Sequence, residues 1–175
     1  IGTIADLINY RILNEKTVEK VDKKVVKTEY GKFNLIMYKD LIFDETHLVL
    51  QKGKITKNSP TLVRVQQSNF YHDLLNINEF GARWSVSDAM KKINDEGKGI
   101  ILLIDGENNK EIEFNEINAS KKKRKTIPNN DPRRIGIGSQ ILRDLGVKKI
   151  KLMGTEVRYP SLSGFDLEVT EYVNK

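Results

Sequence analysis

Apolar residues along this chain change their spacing from stretch to stretch, and those changes mark the elements. Ile4, Leu7, Ile8 and Ile12 recur at helical spacing, with Thr3 and Asp6 placed to cap the start, which predicts a short amphipathic helix from Thr3 to Asn14. Strand character follows at Thr17 to Thr28, Phe33 to Tyr38 and His47 to Gln51, separated or closed by turn signals such as Tyr30-Gly31-Lys32 and Lys52-Gly53-Lys54. Thr61-Leu62-Val63-Arg64-Val65, after Pro60, reads as a further strand. From Trp84 to Glu96 the apolar positions Trp84, Val86, Ala89, Met90 and Ile93 fall largely on one helical face, and Gly97 stops the helix. Gly99 to Ile104 is apolar without a break, which predicts a strand covered on both faces in a mixed or parallel sheet. Asp105 to Arg134, rich in Asn, Lys and Glu with Pro128 and Pro132, predicts a partly mobile loop holding a short strand at Glu111 to Phe114. A helix at Ile137 to Leu145 ends at Gly146, a strand follows at Lys149 to Met153, and Phe165 to Tyr172 alternates roughly. Helices and strands are mixed throughout, giving α/β or α+β, with no internal repeat.

The composition narrows this picture. With 175 residues, 38% hydrophobic and 31% charged, the chain is long enough for one real core and too apolar for disorder. Its longest apolar run is far short of the ~20 residues of a membrane span, so no membrane partner is expected. Ile1 stands where a start Met would, and Ile1 to Tyr10 lacks the pattern of a secretory signal, so the expectation is an excised part of a longer cytoplasmic protein. Cysteine is absent, which excludes disulfides and thiolate metal sites. Part of the net charge of +6 lies in Lys121, Lys122, Lys123, Arg124 and Lys125. Such a run can bind polyanions by releasing their counterions, but no aromatic residue interleaves it to stack on bases. A solvated loop is therefore the favoured reading, and nucleic acid is not an expected partner.

Three segments carry a family resemblance. Leu62-Val63-Arg64-Val65, then Glu96-Gly97-Lys98-Gly99-Ile100, then Gly136-Ile137-Gly138-Ser139-Gln140-Ile141-Leu142-Arg143-Asp144-Leu145-Gly146-Val147 resemble the GTP cyclohydrolase II family in order and spacing. The close, Pro160-Ser161-Leu162-Ser163-Gly164-Phe165-Asp166-Leu167-Glu168-Val169-Thr170, resembles the divergent domain fused behind 3,4-dihydroxy-2-butanone 4-phosphate synthase in some bacteria. The resemblance implies a mixed sheet with flanking helices over residues 17–175, and makes residues 1–16 a junction helix from a preceding synthase domain. It also implies a homodimer, a fused synthase domain as partner, and GTP or a related nucleotide as ligand.

The family's reaction opens the imidazole ring of GTP, releasing formate and pyrophosphate, and needs a zinc ion held by three cysteines to lower the pKa of the attacking water. At the matching positions this chain has Asn69, Phe80 and Ala82. None is a good zinc ligand, so no zinc cofactor is expected there. A repositioned site using His47, His72, Asp73 or Glu79 lacks a recognisable ligand spacing, and these residues read instead as surface or core. The family's purine-recognition motif falls near Asp105-Gly106-Glu107-Asn108-Asn109, where no arginine follows the glycine. Its catalytic aspartate and arginine match Asp131 and Arg133, which the resemblance makes vestiges of a pair that accepts a proton and attacks phosphate. The alternative is that Asp131 caps the coming helix and Arg133 is solvated. Arg64 and Arg158 occupy nucleotide-contacting positions, although Glu156 beside Arg158 repels phosphate. The resulting expectation is a GTP cyclohydrolase II-like domain without ring-opening activity, structural or ligand-binding in role. Residual GTP phosphohydrolysis through Asp131 and Arg133, or a basic RNA-binding module, are the alternatives.

Overall fold

The computed structural model describes residues 2–67, 69–77, 83–105, 131–156 and 160–175. The capping box forms as the sequence predicts: Thr3 accepts from the Asp6 amide, Asp6 accepts from the Thr3 amide, and helix α1 (Ile4–Asn14) starts there. Strands β1 (Val18–Thr28), β2 (Gly31–Asp40) and β3 (Thr46–Lys52) form an antiparallel meander. Strand β4 (Thr61–Gln67) leads into a single π-helical turn at Phe70–Leu74. Helix α2 (Val86–Glu96), β5 (Gly99–Ile104), helix α3 (Pro132–Asp144), β6 (Lys149–Met153), a 3₁₀ turn (Pro160–Phe165) and β7 (Glu168–Val173) follow.

Among the described residues the strands form one sheet in the order β1-β2-β3-β5-β4-β6-β7. It is antiparallel from β1 through β3 to β5 and parallel across β5, β4, β6 and β7. The all-apolar β5 therefore sits where the two halves meet, covered on both faces. Val63, Ile100, Leu102, Ile104, Ile36, Tyr38 and Val49 face α1 and α3. Leu62, Ile101, Phe33 and Met153 face α2. This is the mixed sheet with flanking helices that the sequence leads one to expect.

Three of the boundaries that differ from the sequence reading have a plain physical cause. Helix α3 begins at Pro132, five residues before the apolar periodicity starts, because Asp131 caps it and Pro132 enters at the first turn. The second helix begins at Val86 and not at Trp84, since Ser85 caps it by accepting from the Asp88 amide. The final stretch splits, with Phe165 ending a 3₁₀ turn and buried against α3 while the strand starts at Glu168. The predicted strand at Glu111 to Phe114 lies outside the described residues.

Candidate functional site

Parallel strands expose their carboxyl ends at one edge of a sheet, where α/β proteins place ligand sites. Here that edge carries Gln67 at the end of β4, Asp105 after β5 and the start of α3. On the α2 face, Arg64, Gln66, Gln67, Asn69, His72, Arg83 and Trp84 line a cleft. Arg64 is held in place: its Nε donates to Gln66 Oε1 at 3.0 Å, Nη1 to the Met153 carbonyl at 2.8 Å and Nη2 to the Trp84 carbonyl at 3.3 Å. The Trp84 indole donates to the Val173 carbonyl at 3.1 Å, tying the cleft wall to the last strand.

At the centre of this region is Asp73, on the π-helical turn, which sequence reasoning considered only as one of four unrelated metal ligands. Its carboxylate accepts from Gln66 Nε2 at 2.7 and 2.8 Å, from the Asn69 amide at 2.8 Å and from the Val86 amide at 3.3 Å. Asn69 Oδ1 in turn accepts from the His72 amide at 2.9 Å. One carboxylate thus gathers the end of β4, the loop after it and the start of α2. Both oxygens of this carboxylate are thus satisfied by hydrogen bonds.

The predicted catalytic residues stand on the other face. Asp131 is the N-cap of α3, accepting from the Arg133 amide at 3.0 Å. Arg133 forms an ion pair with Glu45, in the β2–β3 connection, and stacks its guanidinium 3.4 Å from the centroid of Phe43. It is engaged with both and not free in solvent. Arg134 reaches across to Gln67. Arg64 therefore belongs to one face of the sheet and the Asp131–Arg133 turn to the other, with their bases at the same edge. Arg158, Glu79, Phe80, Ala82 and the Lys121 to Lys125 run lie outside the described residues.

His47, considered in sequence beside His72 and Asp73, is separated from them by the sheet. It alternates with Val49 toward α3, is 0% exposed, and lies with Asp40 and Glu45 so that one donor atom of each falls within 4.8 Å of the others. Burial pushes the His47 pKa down, against the pull of the Asp40, Glu45 and Asp105 carboxylates, and the Arg133 charge adds to the lowering. Asp40 and Glu45 escape sequence reasoning because no motif marks them, although the parity of β2 places Asp40 on the same buried face as Ile36 and Tyr38.

The GTP cyclohydrolase II sequence profile matches residues 19–174. The chain belongs to the GTP cyclohydrolase II family. Within this family it is 42% identical over 179 residues to a 3,4-dihydroxy-2-butanone 4-phosphate synthase of Pseudomonas aeruginosa, covering 99% of the chain and 48% of that protein. It is 37% identical to the riboflavin biosynthesis protein RibBA of Aquifex aeolicus, covering 98% of the chain and 45% of that protein. The crystal structure of RibBX, a two-domain 3,4-dihydroxy-2-butanone 4-phosphate synthase from A. baumannii, superposes with a TM-score of 0.68 at 35% identity, over 100% of this chain and 46% of that one. The chain thus spans about half the length of these relatives. Among the described residues no helix is long and apolar enough to cross a membrane.

Proposed function

We propose that this GTP cyclohydrolase II-family domain of a riboflavin biosynthesis protein has lost zinc-dependent opening of GTP. It serves a structural or ligand-binding role beside 3,4-dihydroxy-2-butanone 4-phosphate synthase. One observation carries the reading: Asn69, at the first thiolate position of the family resemblance, donates its backbone N–H to Asp73 and accepts at its side-chain oxygen from the His72 amide. The place of a thiolate is filled by an amide inside a carboxylate-centred network. The sequence itself supplies Phe80 and Ala82 at the other two thiolate positions.

The ligand-binding part of the reading is supported by the cleft, where Arg64, Arg83 and Trp84 offer cationic groups and an aromatic surface suited to an anionic ring-bearing molecule such as a nucleotide. Phosphohydrolysis through Asp131 and Arg133 is disfavoured, since one caps a helix and the other pairs with Glu45. The test is metal content together with GTP turnover, with and without added zinc, following formate and pyrophosphate separately. Neither product is expected. Zinc-dependent formate release would overturn the proposal, and pyrophosphate without formate would revive the phosphohydrolase.

A further inference from the structure

Between the β2–β3 connection and α3 lies a group of polar side chains that the proposed function does not use. His47 and Asp40 are 0% and 1% exposed. Among the described residues, His47 Nε2, Asp40 Oδ2 and Arg133 Nε are buried and have no hydrogen-bond partner. Other atoms of the same side chains are committed. Asp40 Oδ1 accepts from the Ile42 and Phe43 amides at 2.8 and 3.2 Å, His47 Nδ1 accepts from the Asp105 amide at 3.0 Å, and Arg133 Nη2 pairs with Glu45.

The spacing of Asp40, Glu45 and His47 invites a metal ion, but the hydrogen bonding opposes it. Because Nδ1 accepts from a backbone N–H, the neutral ring carries its proton on Nε2, and a protonated nitrogen has no lone pair for a metal. The Arg133 guanidinium on Glu45 adds a positive charge where a cation would sit. An anion fares no better between two carboxylates.

What remains is a set of two donors, His47 Nε2–H and Arg133 Nε–H, facing carboxylate acceptors on Asp40 and Glu45. Water alone among small ligands accepts two hydrogen bonds and donates two at one point. Two bonds of about 2.8 Å meeting at a tetrahedral oxygen span about 4.6 Å, in keeping with Asp40, Glu45 and His47, of which one oxygen or ring nitrogen each lies within 4.8 Å of the others. Buried waters bind just such groups, typically with about three bonds.

We infer that Asp40, Glu45, His47 and Arg133 enclose a single water-binding site, with His47 fixed as the Nε2–H tautomer, and that this site ties the β2–β3 connection, the end of β5 and the start of α3 together. The inference goes beyond the proposed function and does not depend on it. Arg133, whose position the resemblance links to phosphate chemistry, becomes the cross-member of a buried hydrated box.

The test uses ¹⁵N-labelled protein at about pH 7. Long-range ¹H–¹⁵N spectra should show His47 in the Nε2–H form, with that proton exchanging slowly and giving a cross-peak to a long-lived water. The Nδ1–H form, or no water cross-peak, would overturn the inference. Titration with Zn²⁺ or Mn²⁺ alone should leave the His47 signals in place. Metal binding that displaces them, and that is lost in Asp40→Asn, would replace the water with a cation site. The wild-type spectra decide the tautomer even if Asp40→Asn fails to fold.

Discussion

The sheet separates two polar clusters that solve one problem in opposite ways. On the α2 face, the Asp73 carboxylate is surrounded by protein donors, and two of the residues that supply them, Gln66 and Asn69, line an open cleft. On the α3 face, Asp40 and His47 are sealed in while Arg133 reaches partly to solvent, and all three retain buried atoms without a partner among the described residues. A charge beside solvent can be stabilised by rearranging a loop around it, whereas a charge deep in the sheet must bring its partners from several elements at once. The first arrangement leaves room for a ligand; the second fixes architecture.

The sharpest way to break the comparison is Asp73→Ala. It strands the Gln66 side-chain amide and the Asn69 and Val86 amides, and should cost about 3 kcal/mol in urea denaturation, since each partly buried donor left unpaired costs about 1–3 kcal/mol before water repairs some of the loss. Next is Glu45→Gln, which leaves the Arg133 guanidinium without its counter-charge. A loss of about 2 kcal/mol is expected, below the roughly 3–5 kcal/mol of a fully buried pair because both side chains are about a quarter exposed, at 25% and 26%.

The two faces should also differ in their response to acid. Burial holds the His47 pKa below its free value of about 6.5, so below that pH the unfolded chain binds a proton that the native state refuses. Stability from this source is complete above about pH 6.5. It falls as the pH drops from there toward the folded pKa, by at most about 1.4 kcal/mol per pH unit. Urea midpoints at about pH 7 and pH 5.5 should fall further for the wild type than for His47→Gln; equal falls would place the acid sensitivity elsewhere. The smallest effect belongs to Asp131. Its replacement by Ala should cost about 1 kcal/mol through loss of the cap, while Asp131→Asn, which keeps an acceptor, should fall within about 0.5 kcal/mol of the wild type. A much larger loss for Asn would show that the charge of Asp131 matters beyond capping.

Much of the fold was legible because periodicity reports burial. β5 and β6 lie where their apolar runs place them, and the capping box of α1 is written in Thr3 and Asp6. The apolar pattern starts α3 late because Arg133 and Arg134 interrupt it, and only the reading of Asp131 as a cap, with Pro132 behind it, marks the first turn. The site was less legible. Arg64 could be placed by its strand, but the π-helical turn carrying Asp73 has no periodicity to betray it, and the partnership of Asp40, Glu45, His47 and Arg133 joins residues up to 93 positions apart in sequence. Strand parity could have assigned His47 to the buried face with Val49, and with that the separation of the two histidines.

Gly136, in the middle of α3, has a wider meaning. A β-carbon there would stand 2.2 Å from Ile12 Cγ2. Helix α1 is thus seated by a missing atom, with Gln140, one turn further along α3, donating to the carbonyls of Ile12 and Glu15 and accepting from the Thr17 amide. A glycine inside a helix costs about 0.5–1 kcal/mol relative to alanine, so α3 gives up some of its own stability to make a socket for another helix. The attachment of the amino-terminal segment is therefore governed from a position more than a hundred residues away, and a single methyl group at Gly136 is the smallest chemical change that would prise it loose.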